Sequence, residues 1–282
     1  MTSPSRGYLT LAARDARYLE MAVDLALSLR EHTELPIALA ADDTLAALAK
    51  ARYAAVFDHV TLVPERFREG RALKYGTAEA SPFDETIFVD ADCIVLGSLE
   101  GLWSALQTSD MAMTGEHLTA EDDRNHHGFS TSALIRRFGL DTYLKTNSGL
   151  FCFRRGPALQ IMDECRDCHV NEVLRQLRWT TLLGRWLGDE IAFGIVGGRR
   201  KLGTLTKPDA MYWPEEFPSL DLSNPTKPLL HMLWPLEPHQ LEQLFAGTKG
   251  RRQAAGLAGD AEAHWREESR RLGRLKRQRR KP

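Results

Sequence analysis

In Thr86-Ile87-Phe88-Val89-Asp90-Ala91-Asp92-Cys93-Ile94-Val95-Leu96, two aspartates separate two short apolar runs. Side chains alternate along an extended chain, so Asp90 and Asp92 share one face. Two carboxylates therefore emerge together at the end of a buried strand, where open α/β sheets bind their ligands. Oxygen ligands of this kind suit Mg²⁺ or Mn²⁺, ions that commonly also contact substrate phosphates. A strand that runs into an acidic turn is the alternative interpretation of the same residues.

Composition narrows the class of protein. The chain has 282 residues, 43% of them hydrophobic, which is enough for one large domain or two closely packed halves. Its net charge of −1 gives no argument for a nucleic-acid partner. No segment approaches the ~20 apolar residues that span a bilayer, and residues 1–7 lack a secretory hydrophobic region. We therefore expect a cytoplasmic protein with reduced cysteines at positions 93, 152, 165 and 168.

Strand and helix patterns alternate along the chain. Strands are predicted at residues 8–13, 36–41, 59–63, 86–89 and 148–153. Helices are predicted at residues 15–31, 44–53, 71–80, 159–177 and 189–196, and Asp15 can cap the first of them. This order predicts an α/β fold with a mostly parallel sheet flanked by helices. The polar segment 115–143 is predicted to be an irregular loop or lid over the substrate.

Several motifs are absent or ambiguous. The chain contains neither Gly-x-Gly-x-x-Gly nor a P-loop, which argues against a dinucleotide enzyme or a P-loop NTPase. Cys165-Arg166-Asp167-Cys168-His169 matches a haem-attachment pattern, but its helical setting favours two ordinary helix cysteines. The pair His126-His127 is predicted to lie in a solvated loop, with contact to an acceptor as the alternative. His231 lies among apolar residues, either as a core residue or as a third ligand beside the two aspartates.

The C-terminal segment has a different composition from the rest of the chain. Residues 266–282 contain nine Lys and Arg residues, with Trp265, Leu272 and Leu275 forming a thin apolar side. Such a segment favours peripheral contact with an anionic membrane, which would be the inner face of the cell membrane. A solvated tail is the alternative. We divide the chain into a domain at 1–245, with halves at 7–110 and 111–245, and a basic tail at 246–282.

The order of these features resembles the GT-A glycosyltransferases, and most closely family 8 and its glycogenin-type relatives. The features are a first strand followed by Tyr18, then Lys74, then the acidic motif, then Asn147-Ser148-Gly149, then Gly188-Asp189-Glu190, and finally His231. They span about residues 7–240. The interval between positions 92 and 231 is 139 residues, which is typical of the family's metal site.

The resemblance implies a single large Rossmann-like GT-A domain and a role for each matching residue. Asp90, Asp92 and His231 would bind the metal, Mn²⁺ or Mg²⁺. The donor nucleotide would contact Thr10, Ala12, Tyr18, Arg71, Lys74, Asp90, Ala91 and Asp92. The transferred sugar would lie beside Asn147, Asp189 and Glu190, with Asp189 as the carboxylate that stabilises the sugar centre. The alternative for Asp189 is a structural acid that interacts favourably with the dipole at the start of a helix.

The activity implied by the resemblance is metal-dependent transfer of a hexose from a nucleotide sugar, a UDP-sugar, with retention of configuration. The acceptor would be a saccharide, a lipid-linked molecule or a protein. The chain departs from the family after His231, where Met232-Leu233-Trp234-Pro235 replaces a segment with a glycine and a phosphate-binding lysine. A sugar nucleotidyltransferase and a non-catalytic nucleotide-sugar-binding protein remain the alternatives.

Overall fold

The computed structural model describes residues 5–68, 73–177, 187–205, 210–257 and 262–279. Its strands are β1 (Arg6–Ala12), β2 (Ile37–Ala41), β3 (His59–Leu62), β4 (Glu85–Val89), β5 (Cys93–Val95), β6 (Met111–Leu118), β7 (Asn125–His126), β8 (Phe129–Ser130), β9 (Tyr143–Arg154), β10 (Gly203–Leu205) and β11 (Leu229–His231). Its α-helices are α1 (Ala16–Arg30), α2 (Asp43–Arg52), α3 (Thr77–Ala80), α4 (Thr131–Phe138), α5 (Arg155–Asp167), α6 (Leu174–Leu177), α7 (Asp189–Arg200), α8 (Pro238–Ala254) and α9 (Ala263–Arg279).

Seven strands form one sheet in the order β10-β6-β9-β4-β1-β2-β3. β1 pairs with β4 and β10 pairs with β6 in parallel, whereas β6 and β9 are antiparallel. The prediction of an α/β sheet flanked by helices is confirmed, with this antiparallel pair making the sheet mixed. Two further pairs, β5 with β11 and β7 with β8, form small two-stranded sheets.

The chain divides into two compact units. Unit 1 contains residues 1–9, 61–88 and 102–207, and unit 2 contains residues 10–60, 89–101 and 208–282. This grouping differs from the predicted division at residues 110 and 245, because the C-terminal helices belong to the same unit as α1. The basic C-terminal segment is therefore part of a packed unit over its described length.

In unit 2, α1 begins as its sequence predicts. Asp15 is the N-cap residue, and its side chain accepts a hydrogen bond from the backbone N–H of Arg17. Leu19, Val23 and Ala26 are fully buried along one side of the helix. The capping residue thus fixes where the helix starts, and the apolar stripe fixes which face packs inward.

In unit 1, α7 lies close against β9 because it carries glycines on its inner face. A Cβ atom on Gly194 would overlap the Tyr143 ring, and one on Gly198 would overlap the carbonyl oxygen of Thr142. Only residues without a side chain allow this separation of helix and strand. The close packing fixes the position of the N-terminus of α7, where Asp189 and Glu190 begin the helix.

The prediction of an irregular loop over residues 115–143 is wrong. This segment contains the end of β6, the β7–β8 hairpin and α4. Ser130 caps α4 by accepting from the N–H of Ala133, and Gly139 ends the helix at φ 59°. Short strands and an apolar stripe of only three residues on α4, Leu134, Ile135 and Phe138, gave too weak a periodic signal to be recognised in the sequence.

α8 and α9 pack on α1 around one buried acid. Asp24, whose side chain is 0% exposed, accepts hydrogen bonds from Arg252 of α8 and from the indole N–H of Trp265 of α9. The His264 Nε2 atom also lies 2.7 Å from Asp24. Asp24 therefore anchors the C-terminal helices to the first helix of unit 2.

None of the described helices combines the length and the apolarity needed to cross a membrane.

We predict that Asp24→Asn lowers the free energy of unfolding by about 3 kcal/mol or more, because it removes the partner of a buried arginine. Glu31→Gln is the matched control. Glu31 lies at the end of the same helix and pairs with Arg251 of α8, but it is 50% exposed. The control should cost under about 1 kcal/mol. Urea unfolding measures both values, and equal losses would contradict the anchoring role of Asp24.

Candidate functional site

The pairing of β5 with β11 in unit 2 brings His231 to the acidic motif. The two strands are antiparallel, and their register places His231 opposite Cys93. The N–H of Met232 donates to the carbonyl oxygen of Asp92, and the N–H of Leu96 donates to that of Pro228. Main-chain hydrogen bonds on both sides of the pair therefore hold His231 next to Asp92, across 139 residues of sequence.

The three predicted metal ligands meet at this point. The Nε2 atom of His231 lies 3.3 Å from Oδ1 of Asp92 and 3.8 Å from Oδ2 of Asp90. The His231 side chain is 7% exposed, and those of Asp90 and Asp92 are 16% and 18% exposed. The site is thus mostly enclosed but open to a ligand at the carboxylates.

The residues present fit a divalent cation. Ligand atoms of Asp92, Cys93 and His231 lie within 4.8 Å of one another, and Asp90 adds a second carboxylate. Two carboxylates and an imidazole suit Mn²⁺, and Mg²⁺ accepts the same oxygen ligands. Cys93 is a buried residue that the sequence did not indicate, and a thiolate there would favour a softer ion such as Zn²⁺. Binding measurements with Mn²⁺, Mg²⁺ and Zn²⁺ would therefore identify the ion that this site prefers.

The predicted nucleoside-binding residues also lie in unit 2. Thr10 and Ala12 are buried in β1, and Tyr18 is partly exposed on α1. The Oγ1 atom of Thr10 has no hydrogen-bonding partner among the described residues. Burial raises the pKa of Tyr18, and Asp92 is among the charges that act on its phenol. Tyr18 and Asp92 are therefore close enough to interact electrostatically.

A β-bulge in unit 1 creates a second polar cluster. Met113 of β6 pairs with Phe151 of β9, but the next residue, Thr114, pairs with Asn147. Residues 148–150 are thus left out of the register, which bends the strand and re-aims its side chains. The backbone N–H of Ser148 consequently donates to Glu190 at 2.9 Å rather than to a neighbouring strand.

Ser148 joins Lys74 to Asp189. Lys74 Nζ donates to Oγ of Ser148 at 2.8 Å, and this hydroxyl donates to Oδ2 of Asp189 at 2.9 Å. Lys74 Nζ also lies 3.6 Å from Oδ2 of Asp189. In unit 1, Lys74 therefore lies beside the sugar-binding candidate Asp189 and beside Ser148, which follows Asn147 in the chain. Ser148 is a residue that sequence reasoning missed.

Glu190 is a buried carboxylate with two histidine neighbours. Its side chain is 13% exposed, Nε2 of His127 contacts its Oε2 atom, and Nε2 of His126 lies 3.6 Å away. Burial by itself raises the pKa of Glu190, but the hydrogen bonds from His126 and His127 outweigh this effect and hold the pKa well below its usual range. Glu190 is therefore an anion at neutral pH.

The expectation of a solvated loop is wrong for His126. This residue is 6% exposed, its Nε2–H donates to the carbonyl oxygen of Thr146, and its Nδ1 accepts from the hydroxyl of Tyr143. His127 and Gly128 form the two-residue turn between β7 and β8, with φ values of 54° and 89°. A left-handed histidine costs on the order of 1 kcal/mol and is uncommon outside turns and functional sites.

The structure also bears on three other features that the sequence indicated: Asn147, Arg71 and the cysteine pair. The Oδ1 atom of Asn147 accepts from the backbone N–H of Gly149, so this amide supports the bulge. Arg71 lies outside the described residues. Cys165 and Cys168 are buried, unpaired by disulfides and within helical segments, and burial raises the pKa of the Cys168 thiol to about 12. They are ordinary core residues of unit 1.

We predict that unit 1 loses stability as the pH falls below about 6.5, the ordinary pKa of histidine. Burial lowers the pKa of His126, so the folded state favours its neutral form, and that stabilisation is lost on acidification. His126→Gln keeps a donor for Thr146 but cannot titrate. The fall in melting temperature between about pH 7.5 and pH 5 should be smaller in this variant, by calorimetry.

The control for this titration is His239→Gln, which changes an exposed histidine of unit 2. The control should follow the wild-type pH dependence. An equal fall in all three proteins would show that His126 does not contribute to the acid sensitivity.

Comparison with known proteins identifies the fold. No family model and no curated protein matches the sequence. The chain is similar in structure to the galactosyltransferase LgtC in complex with donor and acceptor sugar analogues (TM-score 0.58, 14% identity, 93% of this chain and 99% of that chain). It is also similar to the bifunctional glycosyltransferase WbbM (0.57, 11%, 88% and 50%) and to the glycosyltransferase GlyE of Streptococcus pneumoniae TIGR4 (0.54, 15%, 94% and 60%). At these identities the likeness concerns the fold, and the chain has the fold of the GT-A glycosyltransferases.

Proposed function

We propose that the protein is a metal-dependent glycosyltransferase that transfers a hexose from a UDP-sugar to an acceptor, with retention of configuration. The observation that carries this proposal is the convergence of Asp90, Asp92 and His231 in unit 2 of a GT-A fold. Nucleotide sugars present a diphosphate, which two carboxylates can bind only through a cation. A divalent cation at this site would stabilise the charge that develops on the leaving diphosphate.

The nucleoside part of the donor is assigned to the neighbouring residues of unit 2. Tyr18 offers a partly exposed aromatic ring within electrostatic range of Asp92. The unpartnered hydroxyl of Thr10 is a hydrogen-bonding group whose burial is costly unless a ligand or water satisfies it. A flat, polar uracil ring matches both properties. These residues support a nucleotide donor over a simple sugar.

The sugar centre is assigned to Asp189 in unit 1. Its Oδ2 atom accepts from Ser148, but no described residue donates to its Oδ1 atom, and the side chain is 20% exposed. Glu190, in contrast, accepts from the N–H of Ser148 and contacts His127, so its oxygens are already occupied. A carboxylate with a free oxygen is suited to stabilise an oxocarbenium-like centre. Glu190 then acts as a positioning residue.

Lys74 and the N-terminus of α7 hold Asp189 in place. The lysine bridges Ser148 and Asp189, and both acidic residues occupy the first turn of the helix, where the dipole favours negative charge. A fixed carboxylate needs no reorganisation when charge develops on the sugar, which is the condition for effective electrostatic catalysis. In this proposal Asp189 supplies the negative charge, and Lys74 and Ser148 hold its carboxylate in position.

We predict that UDP binding depends on a divalent cation and on Asp92. Wild-type protein should bind UDP in the presence of Mn²⁺, and EDTA or Asp92→Asn should weaken binding by at least about tenfold, because the cation links carboxylate and diphosphate. Calorimetry measures these affinities, with Mg²⁺ and Zn²⁺ titrated separately to test the contribution of Cys93. Asp141→Asn, at an exposed position of unit 1, is the control. Equal binding with and without metal would refute the assignment.

We predict that Asp189→Asn lowers turnover by about 10²-fold while UDP affinity changes little, since the substitution keeps the shape and removes the charge. The measurement is transfer or donor hydrolysis across a panel of UDP-sugars with Mn²⁺. Glu190→Gln is the comparison at the adjacent, fully satisfied carboxylate. If that variant is inactive and Asp189→Asn is fully active, the catalytic assignment moves to Glu190. A protein that binds UDP-sugars but neither transfers nor hydrolyses them would be a binding protein.

A further inference from the structure

The C-terminal helix α9 carries a buried charge network on the face that packs against α1. Glu268 is fully buried and pairs with Arg271 through the Nε atom of the arginine at 2.8 Å. Arg17 of α1 lies 3.1 Å from Glu267 and 3.9 Å from Glu268. Trp265, which precedes Glu268 by one turn of α9, is fully buried against Asp24. The position of α9 on unit 2 is therefore fixed by several polar contacts as well as by packing.

This packing brings Arg271 near the candidate metal site. Hydrogen bonds to Glu268 are the main reason that the pKa of Arg271 is raised, and the charges of Tyr18 and Asp92 also raise it. The guanidinium thus lies within electrostatic range of a metal ligand and of a nucleoside-binding candidate. Farther along the helix, Lys276 lies 4.1 Å from the centre of the Trp234 ring, three residues after His231.

A nucleoside diphosphate at this site needs a protein cation. Asp90 and Asp92 together carry about −2, a divalent cation carries +2, and the diphosphate adds at least about −2. The segment after His231, Met232-Leu233-Trp234-Pro235-Leu236, supplies no basic residue. Arginine binds phosphate oxygens through its planar set of donors. Among the described residues, nothing accepts from the Nη1 atom of Arg271, whose side chain is 36% exposed.

We propose that Arg271 of α9 binds the diphosphate of the donor, so that the basic C-terminal helix is part of the nucleotide site. This inference rests on the proposed function of Asp90, Asp92 and His231. Glu268 then has a defined role: it holds the Nε side of the guanidinium and leaves the Nη1 side for phosphate. One face of α9 then serves two functions: it packs on α1 and it binds phosphate.

The test compares charge variants by calorimetry with Mn²⁺, using UDP and uridine as probes. Arg271→Gln should weaken UDP binding by about tenfold or more and leave uridine binding unchanged, because only UDP carries the diphosphate. Arg271→Lys should recover part of the affinity. Arg270→Gln is the matched control, since Arg270 is the exposed neighbour on the same helix, and it should bind UDP within about twofold of wild type.

Glu268→Gln separates a phosphate contact from a structural role. If Arg271 only holds the helix, neutralising Glu268 should weaken UDP binding as Arg271→Gln does. If Arg271 binds phosphate, Glu268→Gln should keep or increase UDP affinity, because the amide oxygen of the glutamine can still accept from the Nε atom of Arg271 while the competing negative charge is removed. The double variant Glu268→Gln/Arg271→Gln restores the buried charge balance and should still bind UDP weakly.

The outcomes distinguish this inference from the proposed function. Suppose that the wild type binds UDP in a metal-dependent way and that Arg271→Gln binds UDP as tightly as Arg270→Gln does. This result would overturn the role of Arg271 and leave the proposed function intact. A wild-type protein that does not bind UDP with any divalent cation would overturn the proposed function itself.

Discussion

The antiparallel pairing of β5 with β11 is the constraint on which the candidate metal site depends. It is only three residues long on each strand, yet its register sets His231 opposite Cys93 and beside Asp92. Shifting an antiparallel pair by one residue would turn the imidazole to the other face of the strand. Hydrogen bonds from Met232 and Leu96 continue the pairing beyond both ends and fix that register. The backbone geometry therefore brings the candidate metal ligands together before any ion binds.

Unit 1 uses a different device to position its polar groups. Three residues of β9 leave the register with β6, and the glycines of α7 let that helix approach the same strand closely. The bulge turns Ser148 toward the first turn of α7, and the close approach brings Asp189 and Glu190 within hydrogen-bonding distance of it. Missing side chains on the helix and extra residues in the strand thus act together. Each carboxylate of the cluster accepts a hydrogen bond from Ser148, which restricts its orientation.

Charge placement explains why the C-terminal segment is basic without being a free tail. Asp24, Glu20 and Glu268 on the packed faces take up Arg252 and Arg271. The buried Arg252 is tolerated only with such partners, whereas Arg271 remains 36% exposed beside Glu268. Contact between the remaining basic residues and a membrane stays a prediction from composition. The described part of the segment contributes first to the packing of unit 2.

The sequence by itself determined the α/β alternation and the cap of α1 at Asp15, because these follow from local periodicity and local hydrogen bonding. Asp90 and Asp92 lie in the turn between β4 and β5, where the N–H of Cys93 donates to the carbonyl oxygen of Asp90, so the alternation of an extended chain is not what brings their carboxylates together. The residues themselves left His231 as either a core residue or a third ligand, and only the resemblance chose between them, since no local rule links residues 139 positions apart. The structure alone revealed Cys93 beside the ligands, Ser148 between Lys74 and Asp189, and the burial of His126. Strand register, a β-bulge and helix packing decide these contacts, and they depend on residues far apart in the chain.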